Sequence, residues 1–141
     1  MSTPSLATGA VAETAHHQLT EAHQEACRNA AALRGYLMSN FPADLATTKQ
    51  LAIDLGAALE KMARAERDCG CCSGATHKFP ECYQHMLDQH RLAYLDFEGL
   101  SKELENDIPF DWAYLSRLAA DIEHHLCAAE RVHQVSLATA A

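Results

Sequence analysis

Residues 80–105 read PECYQHMLDQHRLAYLDFEGLSKELE, and this stretch decides the fold. Met86, His90, Ala93, Phe97, Leu100 and Leu104 recur at three- and four-residue steps, the period of one face of an α-helix. Pro80 stands at the start, where a first helical turn tolerates a residue without an N–H. The stripe is apolar except at His90, so the helix carries an imidazole into whatever it packs against.

The same period marks three more segments. The first runs from about Glu13 to Met38, with His16, Leu19, His23, Ala26, Ala30, Leu33 and Leu37 on one stripe. The second runs from about Asp44 to Asp68, where Leu51, Leu55, Leu59 and Met62 form a stripe that Glu66 continues. The last runs from about Asp111 to Leu137 and uses Leu115, Leu118, Ile122, His125 and Ala129. Pro42, Pro80 and Pro109 separate the four. Helices of about 25 residues span roughly 38 Å at 1.5 Å per residue. Short first and last connections make sequence neighbours antiparallel, so the sequence predicts an all-α, up-down-up-down four-helix bundle. The expected organisation is a flexible N-terminal tail over 1–12, the bundle over 13–138, and a Cys-rich loop at 69–79 between the second and third helices.

Composition agrees. The chain has 141 residues, one domain's worth, with 26 Ala against six Val and Ile together, so helix formers abound and strand formers are scarce. A formal charge of −8 with eleven Lys and Arg lacks the basic surface that a nucleic-acid or anionic-membrane binder needs. No apolar run approaches transmembrane length and no secretory leader is visible, so the reading is a soluble, cytoplasmic protein. Serine-triad order, phosphate loop and dinucleotide fingerprint are all absent.

Nine His and six Cys remain to be explained. Every predicted helix puts an ionisable group on or beside its inner stripe: His16 and His23, then Glu66, then His85 and His90, then His125 and Glu130. Burying such groups unpaired costs several kcal/mol, roughly 2–7 for a neutral polar group. Bundles that tolerate them commonly do so by ligating a metal, and His with carboxylate suits iron or manganese, with zinc as a further candidate.

This pattern resembles the hemerythrin-like family of four-helix bundles, whose interior holds a non-haem di-iron centre ligated by His and carboxylate side chains. The stretch Ala22-His23-Gln24 is similar to the family's first-helix ligand segment. Glu66 fits the second-helix carboxylate, but Met62 stands where a His belongs four residues earlier. The segment Phe79-Pro80-Glu81-Cys82-Tyr83-Gln84-His85 matches the third-helix motif, with His85 five positions after Pro80. The next His belongs at Gln89, whereas the chain has His90. His125 and Glu130 match the fourth-helix pair. The resemblance implies His23, Glu66, His85, His90, His125 and Glu130 as metal ligands, non-haem iron as cofactor with a di-iron centre as the expected form, and O2, NO or peroxide as the small molecule bound or sensed. His85 and His90 point about 140° apart on a regular helix, so bringing both to one centre predicts a π-bulge between them. Met62, a poor ligand for ferric iron, implies an open position or a single ion.

Cys69, Cys71, Cys72 and Cys82 form a second candidate site, for zinc or for reversible thiol chemistry. The alternative function is therefore a thiol-based redox or zinc-responsive regulator built on a structural bundle. Iron-dependent oxidase or peroxidase activity ranks below binding and sensing, because no substrate pocket signature is present. Cys27 and Cys127 read as small core residues, and an unidentified protein partner would be needed to relay any signal.

Overall fold

The structure is a computed structural model that describes residues 4–40, 42–68, 80–106 and 111–140, with side chains over 17–40, 42–67, 84–106 and 111–129. Within these lie α1 (Pro4–Ser39), α2 (Leu45–Asp68), α3 (Pro80–Glu105) and α4 (Trp112–Ala140). They form the antiparallel four-helix bundle that the periodicity predicts, and no helix of the described residues is long and apolar enough to cross a membrane.

Local chemistry sets the helix starts. The Asp44 carboxylate accepts the Thr47 N–H at 2.9 Å and the Thr47 hydroxyl at 2.7 Å, capping α2. Those two hydrogen bonds, the hydroxyl's first, hold the Asp44 carboxyl below its ordinary range. Asp111 caps α4 in the same way, accepting the Tyr114 N–H at 3.1 Å. Pro80 is the first residue of α3, where its missing N–H costs nothing. One boundary differs from the reading above: α1 opens at Pro4 instead of near Glu13, because Pro suits a first turn and the residues after it include helix-favouring Ala and Leu.

The inner stripes meet in one core of Leu19, Ala26, Leu33, Leu55, Met62, Leu100, Leu115, Ile122 and Leu126 with their neighbours. Its packing is uneven. α1 lies against α2 and α4, and α3 against α4, but α2 and α3 touch only slightly. Between them Gly56 admits the ring of Phe97: an atom at a Gly56 Cβ position would fall 2.7 Å from it. Beside this contact runs a groove of about 260 Å³ lined by Lys49, Ala52, Ile53, Phe97, Ser101, Leu104 and Glu105.

These contrasts predict opposite outcomes at two glycines. Gly35 lies inside α1 with open space where a Cβ would go, so Gly35→Ala is expected to stabilise the protein by about 0.5–1 kcal/mol. Gly56→Ala must displace Phe97 and is expected to forfeit that gain. Leu100→Ala, at a fully buried position, should cost about 2–5 kcal/mol. Urea midpoints of the three variants against the parent measure all three.

Candidate functional site

Three of the six residues marked as metal ligands come together. His23 from α1 and His90 from α3 are the buried histidines, 7% and 1% exposed, and Glu66 from α2 reaches them at 16% exposure. His23 Nδ1 faces His90 Nε2 at 3.0 Å, with the ring centroids 5.1 Å apart. The opposite edge of the His90 ring, Nδ1, is hydrogen-bonded to Glu66 Oε1. Tyr94, one helical turn beyond His90, donates its hydroxyl to the same oxygen at 3.5 Å.

Donor and acceptor capacities give this chain a direction. An ionised carboxylate only accepts, so His90 Nδ1 carries the proton and Glu66 takes it in a hydrogen bond. A neutral His90 then offers its Nε2 lone pair to His23 Nδ1–H. Burial first, and the nearby Glu66 charge second, drive the Tyr94 phenol well above its ordinary pKa, so it stays an O–H donor. The result is a polar chain of Tyr94 and Glu66, then His90, then His23, crossing from α2 through α3 to α1. Met62, fully buried one turn before Glu66, belongs to the apolar surroundings.

Of the other three marked ligands, His85 and His125 lie elsewhere. His85 is exposed, and α3 is a regular α-helix through it and His90. The expected π-bulge is therefore absent: 140° of rotation separates the two imidazoles, and only His90 points inward. His125 is half-buried on the α3–α4 seam, where its Nδ1 lies 2.9 Å from Gln89 Oε1 and its Nε2 3.4 Å from Asp96 Oδ2. It sits between two polar neighbours on α3 that the sequence reading did not single out. Gln89 and Asp96 are seven residues apart on one edge of α3, a spacing that could have indicated a shared neighbour. The side chains of Glu130, Cys69, Cys71, Cys72 and Cys82 lie outside the described residues, as does that of His16. Cys27 and Cys127, expected as small core residues, are half-buried at the edge of the core.

Two imidazole nitrogens bonded to one ion at about 2.1 Å and a right angle are about 3.0 Å apart. The His23–His90 spacing thus suits adjacent positions on one ion as well as an N–H···N hydrogen bond. Glu66 occupies the far nitrogen of His90, the place of a carboxylate that orients a ligating histidine rather than of a third ligand on the same point. The donors of a two-metal centre are not assembled by the described residues, among which no three or more His, Cys, Asp or Glu side chains form a group able to hold an ion. Comparison of the chain with protein-family models, with curated proteins and with solved structures finds no match.

Removing the carboxylate exposes what it does. Glu66→Ala leaves the buried His90 Nδ1–H without its acceptor and is expected to cost about 1–3 kcal/mol in chemical denaturation, against under about 1 kcal/mol for Tyr94→Phe. A second expectation concerns Asp96, whose carboxyl is raised by burial first, with His125 opposing and Asp121 adding. A raised carboxyl pKa means that the native state holds the proton more tightly than the unfolded chain. Its charge therefore opposes folding above the folded pKa, and the penalty fades as pH falls towards the unfolded value of about 3.9. Asp96→Asn keeps an oxygen acceptor for His125 and should flatten that part of the stability curve, read from urea midpoints as the pH is lowered from neutral towards about 4.

Proposed function

We propose that the protein is a metal-binding helical bundle in which His23 and His90 hold a single ion of the non-haem iron class and leave its remaining positions to a small ligand such as O2, NO or peroxide. The observation that carries this reading is the pair of imidazole nitrogens, His23 Nδ1 and His90 Nε2, 3.0 Å apart in an apolar interior, with Glu66 anchoring the His90 ring through its other nitrogen. Imidazole nitrogens suit iron, zinc and copper alike, so the donor set fits the ion's class without fixing its identity. The bound ion would supply a Lewis-acidic centre with open positions.

Each residue has a separate task. His23 and His90 provide nitrogen donors from two helices, so binding joins α1 to α3. Glu66 fixes the His90 tautomer with the lone pair on Nε2 and sets the ring's angle. Tyr94 holds the Glu66 oxygen from the side. Met62, with Ala22, Ala26 and Leu126 among the nearby buried residues, keeps this level of the bundle apolar, which restricts access to small neutral molecules. His85 and His125 take no part.

Anaerobic titration of the metal-free protein with Fe(II), and with Co(II) as an optical probe, tests the proposal. One equivalent is expected to bind, with imidazole-type d–d bands for Co(II). His23→Ala and His90→Ala should abolish binding, Glu66→Gln should weaken it about 10- to 100-fold, and His85→Ala should leave it unchanged. The titration is run with Cys69, Cys71, Cys72 and Cys82 changed to Ser, so that thiolate binding cannot imitate the result. Binding that vanishes in that background, or that survives both histidine variants, overturns the reading.

A further inference from the structure

The outer face of α3 carries an apolar stripe that nothing within the described chain covers. Leu92 and Leu95 are 41% and 57% exposed, and Tyr114 of α4 stands exposed beside them. With Gly99 they occupy positions three and four residues apart, a second stripe on the side of α3 away from His90. Gly99 lies beside α4: an atom at its Cβ position would be in ordinary contact, 3.8 Å, with Leu118 Cδ1 and with the Tyr114 hydroxyl. Flanking the stripe are exposed charges in a definite order, Asp88, Arg91, Glu98 and Lys102.

That order is self-complementary. When two copies of α3 are laid antiparallel about a two-fold axis through Leu95, positions equally far before and after Leu95 face each other. Asp88, seven residues before it, meets Lys102 of the second copy, seven after. Arg91, four before, comes beside Glu98, three after, both on the same flank of the stripe. Leu92, three before, faces Gly99, four after, where the absence of a side chain lets the helices approach. The two Leu95 side chains meet on the axis. Apolar surface, a small residue opposite a large one and opposite charges all coincide in one register. The within-helix pairs leave room for it: Arg91 and Asp88 are 3.8 Å apart, and Glu98 and Lys102 3.2 Å, all four half or more exposed.

From this register we infer that the protein forms a symmetric homodimer through the outer face of α3, with Leu95 at its centre and Tyr114 at its edge. The contact is isologous, so it closes on itself and does not propagate. A stripe of this size lies at the small end of specific interfaces, which gives a reversible dimer that dissociates on dilution, with a Kd on the order of micromolar. The inference is independent of the buried histidines, which lie on the opposite face of the helix.

Sedimentation equilibrium of the full chain over a hundredfold concentration range tests it. The mass should rise from one chain towards two, and Leu95→Glu should weaken association at least about tenfold with the helical circular dichroism unchanged. Arg91→Glu and Glu98→Arg each place like charges across the axis and should weaken the dimer several-fold at low salt, whereas the double variant should restore it. Ile53→Glu, at an exposed apolar residue of α2, should change nothing. A chain that stays monomeric throughout, or a dimer broken by Ile53→Glu but not by Leu95→Glu, overturns the inference. Single charge variants without effect, or a double variant weaker than both singles, reject the antiparallel register.

Discussion

A carboxylate and two imidazoles set into a layer of Leu, Ala and Met need polar partners there, because both rings are buried and the carboxylate is only 16% exposed. An unpaired polar group in such a place costs more than most single contacts return, and the net stability of a domain this size is about 5–15 kcal/mol. The Glu66–His90–His23 chain meets the requirement by using both edges of one ring: the carboxylate on Nδ1, the second imidazole on Nε2. That pairing fixes the rotation of three helices at once. Turning α3 by one residue would take His90 away from both Glu66 and His23.

The same chain compensates for an uneven bundle. α1 is closed against α4 by the Arg34–Glu123 ion pair, and α3 against α4 by His125 between Gln89 and Asp96. α2 is tied to α1 by Lys61 and Glu25 at 3.0 Å. Among the described residues, α2 and α3 meet chiefly through the Phe97 ring over Gly56 and the hydrogen bonds of Glu66 to His90 and Tyr94. Surface ion pairs on the other seams contribute up to about 1 kcal/mol each. The buried bonds on the fourth seam are therefore the ones whose loss the geometry feels most.

Much of this was legible in the sequence, for identifiable reasons. A 3.6-residue period needs no partner to be read, and Asp44, Pro80 and Asp111 declare their helix starts locally. His23, Glu66 and His90 were legible as polar residues on apolar stripes, since inward direction also follows from the period alone. His85 was not placed correctly, because it and His90 are five residues apart where the family spacing is four, and on a regular helix only His90 of the two points inward. The surroundings of His125 were hidden for a different reason. Its partners are fixed by how α4 slides along α3, and a one-dimensional period says nothing about that offset. Tyr94 falls between these cases: its place one turn after His90 put it beside the imidazole, and only the reach of Glu66 from another helix was missing.

On the proposed reading, the weakness between α2 and α3 becomes a means of coupling. An ion bonded to His23 and His90 acts on the ring that Glu66 orients, so whatever sharpens the position of His90 also draws α2 towards α3. Binding to the native state alone adds RT ln(1 + [L]/Kd) to stability, about 2.7 kcal/mol at a hundredfold excess over Kd. That gain would be concentrated on the least supported seam, where hydrogen exchange in α2 and α3 is the sensitive measure. Helix α3 is then the element through which both faces of the molecule communicate. Its inner side carries His90 and Tyr94, and its outer side, half a turn away, carries Leu92, Leu95 and Gly99. A helix displaced as a rigid body moves both sides together, so a ligand that shifts His90 must also shift the stripe on which a second copy would rest.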